Sequence, residues 1–218
     1  VTPNGPDNGL YAVERLNGTV VFRKSDGSGN TVTKKMKLAD DGFGLDVEIE
    51  ATGERAFDAV SIGTGMRNLS ERENDSRLAL WGEGIVLADG EVERFKRRKI
   101  KEARTLSPAS VAYAGFEDAY FLSLLRPEGG VSEIRITPRQ FGGDEDKPDQ
   151  VLEITVQPRR GVLRGELLGA PKEYDLLQRI DKGVEKTLDF GIFGPISVFF
   201  LKALRWIYGH VGNYGVAI

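Results

Sequence analysis

The sequence predicts a mainly β protein: an antiparallel sandwich with helix confined to its C-terminal end. Three observations carry this. Short apolar or alternating runs recur through the body of the chain, punctuated by Gly, Pro, Asn and Asp at intervals of roughly 8–12 residues. No helical stripe stands between those runs, whereas parallel βαβ units need a crossover helix. Helical spacing appears only after Pro171. A closed barrel fits the same pattern and remains the alternative.

The elements follow in order. Residues 1–10, with Pro3, Pro6, Asn4 and Asn8, read as a turn-rich leader. Val20 to Phe22 reads as a strand and Asp26 to Asn30 as its turn. Thr31 to Leu38 continues, and Asp40-Asp41-Gly42 turns the chain. Leu45, Val47 and Ile49 alternate with Asp46, Glu48 and Glu50, the signature of a strand with one face buried and one in water. Phe57 to Ile62 is a short strand. Gly63-Thr64-Gly65 lacks the GKS/T and the following helix of a phosphate loop, and that reading is rejected. Asn68 to Arg77 is a polar loop. The sequon matches at Asn17 and Asn68 are too short to carry weight.

Leu78 to Trp81 and Ile85 to Leu87 are expected strands around a Gly82-Glu83-Gly84 turn, with Asp89-Gly90 turning next. Arg94, Lys96, Arg97, Arg98, Lys99 and Lys101 form the densest basic cluster. A patch for anionic lipid or nucleic acid is one reading. A solvated edge strand, where lysine discourages edge-to-edge pairing, is the favoured one. Val111 to Ala114, Ala119 to Leu125 and Val131 to Thr137 are strands, with Pro108, Gly115, Pro127, Gly129 and Gly130 as punctuation. Gly142 to Gln150 reads as an exposed acidic loop. Val151 to Gln157 and Gly161 to Leu168 complete the strands. Pro171 then opens a segment with Tyr174, Leu177, Ile180 and Val184 at helical spacing and Gly183 as a cap or interruption.

Composition narrows the chemistry. A chain of 218 residues suits a single large sandwich. A net charge of −3 gives no global case for nucleic acid as a partner. The absence of cysteine excludes disulfides, thiolate metal ligands and thiol catalysis. The one histidine, His210, sits far from the strand region, so neither a histidine metal cluster nor a Ser/His/Asp triad can be assembled. No catalytic residue, cofactor site or metal ligand is expected, and the protein reads as non-enzymatic. Val1 begins no signal peptide, no complete spanning segment is present, and VTPNGPDNG has the look of a trimmed start.

The C-terminal stretch is the outlier. From Pro195, a residue suited to a first helical turn, Ile196, Phe199, Phe200, Ala203, Leu204, Ile207, Tyr208 and Val211 keep helical spacing. Lys202, Arg205 and Gly209 lie opposite. Bulky apolar residues, two snorkelling cations and Trp206 suit a helix lying in a membrane interface. The expected interface residues are Ile196, Phe199, Phe200, Lys202, Leu204, Arg205, Trp206 and Ile207. Docking of the same stripe on the chain's own domain is the competing expectation. The final GNYGVAI is apolar and reads as the start of a spanning helix, too short by itself to cross.

Several motifs then align with a known family. Phe116 to Pro127 (FEDAYFLSLLRP) is similar to a D-x-Y-F strand followed by proline in the YidC/Oxa/Alb family of membrane protein insertases. Leu168 to Leu177 resembles its G-P-K segment, with Ala170 standing between the glycine and Pro171. Leu188 to Gly191 (LDFG) and the tail WIYGHVGNYGVAI resemble the family's turn, amphipathic helix and entry to a second transmembrane helix. Thr33-Lys34-Lys35 and Leu45 to Glu50 match more loosely. The resemblance implies the large periplasmic domain of such an insertase, at the periplasmic face of a bacterial inner membrane. The implied fold is an antiparallel β-supersandwich, galactose-mutarotase-like, closed by C-terminal α-helices. Residues 1–170 would be the sandwich, 171–194 a helix and connector packed on it, and 195–218 the interfacial helix and the start of the second transmembrane segment.

Implied partners are the lipid interface, nascent membrane proteins, the Sec translocon and SecDF, with a role in insertion and folding of inner-membrane proteins. No groove or catalytic residue of the family's membrane bundle falls within the chain. A periplasmic carbohydrate-binding module is the alternative function, with Trp81, Tyr113 and Tyr120 as sugar-stacking candidates. Mutarotase-type chemistry needs a histidine with a carboxylate, and the strand region has no histidine.

Overall fold

Two antiparallel sheets face one another in the computed structural model, which describes residues 9–40, 42–53, 59–65, 82–144, 147–159, 161–180, 183–188 and 194–212. The described strands are β1 (Ala12–Leu16), β2 (Thr19–Ser25), β3 (Thr31–Leu38), β4 (Gly44–Thr52), β5 (Val60–Gly63), β6 (Glu83–Ala88) and β7 (Glu91–Phe95), then β8 (Arg104–Leu106), β9 (Val111–Glu117), β10 (Phe121–Glu128), β11 (Val131–Asp144), β12 (Lys147–Pro158) and β13 (Val162–Pro171). Helices α1 (Tyr174–Ile180) and α2 (Gly194–Val211) follow the last strand. The larger sheet runs β1-β2-β3-β4-β13-β10-β9-β6-β7 and the smaller β5-β12-β11-β8.

Alternation along the strands builds two cores. Val86, Phe116, Leu125 and Leu163 of the large sheet meet Ile134, Ile136, Ile154 and Val156 of the small one. The neighbouring residues on the same strands, Ile85, Leu87, Leu122, Leu124, Leu168 and Ala170, point to the opposite face. There Leu177 of α1 and Val184 of the following 3₁₀ turn cover them, both wholly buried. The central strands are therefore buried on both faces, which is why Ile85 to Leu87 reads as a continuous apolar run. Strand β4 keeps the expected alternation: Val47 is buried while Asp46 stays exposed.

Beyond α1 the same face of the large sheet is a charge ladder. Glu48 Oε1 accepts from Lys35 Nζ at 2.6 Å and Oε2 from Arg164 Nε at 2.6 Å, across β3, β4 and β13. The Lys35 hydrogen bond first, and then that of Arg164, holds the Glu48 carboxyl below its usual pKa. Because the folded pKa is depressed, this contribution is present above the unfolded carboxylate pKa of roughly 4.3 and is lost as pH falls through the folded value. Glu48→Gln should therefore flatten the acid limb of the stability curve below about pH 4.5 and leave the curve's shape unchanged near neutrality. Denaturant titrations across that range check it, and an unaltered acid limb would contradict the linkage.

Several local expectations are corrected. Gly82-Glu83-Gly84 is not a turn, since Glu83 and Gly84 belong to β6. Gly84 is there for close approach: a Cβ would stand 3.2 Å from Ile154 Cδ1 and 3.3 Å from Phe95 Cβ. Gly115 and Pro127 do not punctuate either; both lie inside strands. A Cβ at Gly115 would collide with the Ser123 carbonyl of β10, and one at Gly165, paired with Pro127, with the Arg126 carbonyl. Ala119 and Tyr120 belong to a turn, and β10 starts at Phe121. Gly142 to Gln150 is largely strand: β11 and β12 extend into one long hairpin pairing Gly143 with Pro148 and Asp144 with Lys147. Pro171 ends β13 instead of opening the helix, which begins at Tyr174.

Asn17-Gly18, matched earlier only as a sequon, is a hairpin turn with both residues at positive φ, 47° and 78°. It joins β2 to β1, a strand that alternation did not announce because all five of its residues are exposed. The expected loop at 68–77, the strand at 78–81, most of the leader and the final 213–218 lie outside the described residues.

Candidate functional site

Helix α2 carries the residues expected at an interface. At about 100° per residue, Phe199, Trp206, Ala203, Ile207, Phe200, Val211 and Leu204 span roughly half its circumference. Phe199 is 67% exposed, Phe200 64% and Trp206 68%. Leu204 and Ile207 are half-buried. Among the described residues, none of α2 is buried and none joins either core. Phe199 and Phe200 meet edge to face at 5.9 Å between centroids. The His210 ring lies 4.5 Å from that of Trp206, and its Nδ1 stands 2.8 Å from the Trp206 carbonyl oxygen. The side chains of Ile196, Lys202 and Arg205 lie outside the described set. No described helix is long and apolar enough to cross a membrane.

The segment leading to α2 is tied to the sandwich by an ionic junction that periodicity did not reveal. Glu117, at the end of β9, is 5% exposed. Its Oε1 accepts from Arg94 Nε at 2.7 Å, and Lys172 Nζ stands 3.0 Å from Oε2. The lysine contact is ionic in distance but poorly angled, so Oε2 is charge-compensated without a well-directed donor. Arg94 also donates to the Thr187 carbonyl of the 3₁₀ turn, and Lys172 Nζ to the Asp118 carbonyl at 3.0 Å.

One carboxylate thus gathers edge strand β7, the Asp118 turn and the connector after β13. The basic cluster is accordingly not one solvated strand. Strand β7 is the sheet edge, as expected, but Arg94 turns inward, and residues Arg97–Lys99 form a 3₁₀ turn. The signal for the junction lay in the sequence as the FED and PK motifs, read there only as family markers.

Of the sugar-stacking candidates, the structure describes two. Tyr113 is 4% exposed in the core beneath α1, Tyr120 is on the surface, and Trp81 lies outside the described residues. Among the described residues no three potential metal ligands stand together.

Fold and surface define a class: an antiparallel β-sandwich followed, after its last strand, by a helix that exposes aromatic side chains. Within that class the chain belongs to the YidC periplasmic domain family, whose model matches residues 8–206. It is similar to the membrane protein insertase YidC of Pelobacter propionicus, 29% identical over 205 residues that cover 91% of this chain and 37% of that protein. The corresponding insertase of Citrifermentans bemidjiense is 25% identical, with 92% of this chain and 38% of the relative covered. That of Geobacter sulfurreducens is 27% identical over 88% of this chain and 36% of its own length. The chain thus spans well under half the length of the curated relatives it matches.

Proposed function

We propose that this chain is the periplasmic domain of a membrane protein insertase, that it has no enzymatic activity of its own, and that α2 lies along the lipid interface at the periplasmic face of a bacterial inner membrane. The observation that carries the reading is the exposed Phe199, Phe200 and Trp206 face on the helix that follows a sandwich of the YidC periplasmic family. Aromatic residues gain from the headgroup region because the ring body is apolar and the Trp N–H finds a polar partner. Residues 171–194 act as the connector that the Glu117 junction holds to the sandwich, and residues 195–211 as the interfacial element. In the parent protein the domain aids insertion and folding of nascent membrane proteins, alone or with the Sec translocon and SecDF. The names of the relatives, membrane protein insertases, support the insertion part of this role.

Phe199→Glu and Leu204→Glu test the interfacial part. Each replaces an apolar contact of about 1.5–3 kcal/mol by a charge, so partition onto vesicles rich in phosphatidylglycerol should fall about tenfold or more. Flotation measures it, and partition equal to that of the unaltered chain would refute the placement.

A further inference from the structure

The Asp118–Phe121 turn has a design the sandwich does not require. Asp118 Oδ1 accepts from the backbone N–H of Tyr120 and of Phe121, each at 2.7 Å, and Asp118 N–H donates to the Phe121 carbonyl at 2.9 Å. This closed Asx turn holds two aromatic side chains outward: Tyr120 is 74% exposed and Phe121 51%. A surface turn needs neither residue for its backbone, and Asp, Asn, Ser or Gly would serve it better.

Position adds a second observation. Phe121 pairs with Pro171, so the turn stands where the chain leaves the sheet. Lys172 N–H donates to the Tyr120 carbonyl at 2.7 Å, and its ammonium to the Asp118 carbonyl, which bolts the turn to the connector that leads to α2. Leu38, 69% exposed, lies at the same end of the large sheet, three strands away through β4 and β13. The turns at the opposite end, Asp26–Asn30, Asp89-Gly90 and Glu128–Gly130, are polar or glycine. Tyr120, Phe121 and Leu38 thus stand exposed at one end of the large sheet, while Leu10, 96% exposed, precedes β1 at the other.

We propose that the Asp118–Phe121 turn is a second lipid contact of this chain, an aromatic anchor for the headgroup region set where the chain leaves β13. The proposal rests on the interfacial reading of α2 and deepens it. A tyrosine with its hydroxyl outward next to a phenylalanine suits the boundary between headgroups and acyl chains. A lipid surface is the occupant because Lys172 ties the turn to the start of the segment that runs on to the proposed interfacial helix. Two linked contacts also raise each other's effective concentration at the bilayer.

The chain has no cysteine, so single cysteines can be placed at Tyr120, Trp206 and, as a control at the far end, Ser28. Each carries a nitroxide, and its accessibility to oxygen and to a water-soluble nickel complex is read with and without vesicles of phosphatidylethanolamine containing about 30% phosphatidylglycerol. The expected result is a shift toward oxygen at positions 120 and 206 and none at 28. A shift at 206 alone overturns the turn anchor and leaves the α2 reading standing. A shift at 120 alone supports the turn and removes α2. No shift at either site overturns both. In the cysteine-free chain, Tyr120→Ser with Phe121→Ser should lower vesicle partition about tenfold, and unchanged partition would likewise overturn the anchor.

Discussion

A chain ending at Gly191 is expected to lose vesicle flotation, with partition lower by at least about a hundredfold than for the chain that retains α2. The magnitude follows from the face presented. Phe199, Phe200 and Trp206 are each about two-thirds exposed, so most of their apolar surface is still available for burial in lipid. Each such burial is worth about 1.5–3 kcal/mol, and even after the cost of ordering the helix at the interface, two tenfold steps remain. The charge ladder of Lys35, Glu48 and Arg164 is present in both chains. Any purely electrostatic attraction through the sandwich would therefore survive the cut. Raising salt should accordingly weaken flotation of the full chain only modestly, because the apolar part is not screened. Equal flotation of the two chains would end the interfacial account of α2.

Glu117→Ala is expected to cost about 3–5 kcal/mol of folding stability, the typical cost of breaking a buried ion pair by removing one partner. The carboxylate is almost fully buried, and its two cations are only 22% and 18% exposed as side chains. Without it, Arg94 and Lys172 keep their desolvation cost and lose their counter-ion. Arg94→Met, Glu117→Leu and Lys172→Met together should recover most of the loss, since an apolar replacement of the whole group removes the desolvation cost as well. Denaturant unfolding followed by circular dichroism reads both variants. A single substitution within about 1 kcal/mol of the unaltered chain would mean that water already screens the junction.

What could be read in advance follows from which forces are local. The alternation of Leu45, Val47 and Ile49 is visible because one face of β4 meets the core and the other meets water. Asp89-Gly90 is visible because a two-residue hairpin needs positive φ, here 51° and 84°. The apolar arc of α2 is visible because every residue in it lies within a few turns of the next. Glycine misled where its role was not to turn. At Gly84 and Gly115 the missing side chain makes room for a neighbouring strand, and nothing in the local sequence separates that use from a bend. Gly142 to Gln150 looked like a loop because its polar residues conceal a long hairpin held by backbone pairing.

By itself, then, the sequence determined the class of fold, the C-terminal position of the helices and the aromatic character of the last one. These rest on periodicity and turn chemistry, which are set within a few neighbouring residues. Only the tertiary structure decided the rest. Strand order carries β13 between β4 and β10, and α1 onto the face opposite the smaller sheet. Folding also brings Arg94, Glu117 and Lys172 from three distant stretches onto one buried carboxylate, and leaves Phe199, Phe200 and Trp206 uncovered. The physical reason is the same in each case: burial and charge pairing depend on which remote segment arrives opposite a residue, and no local pattern encodes that arrival.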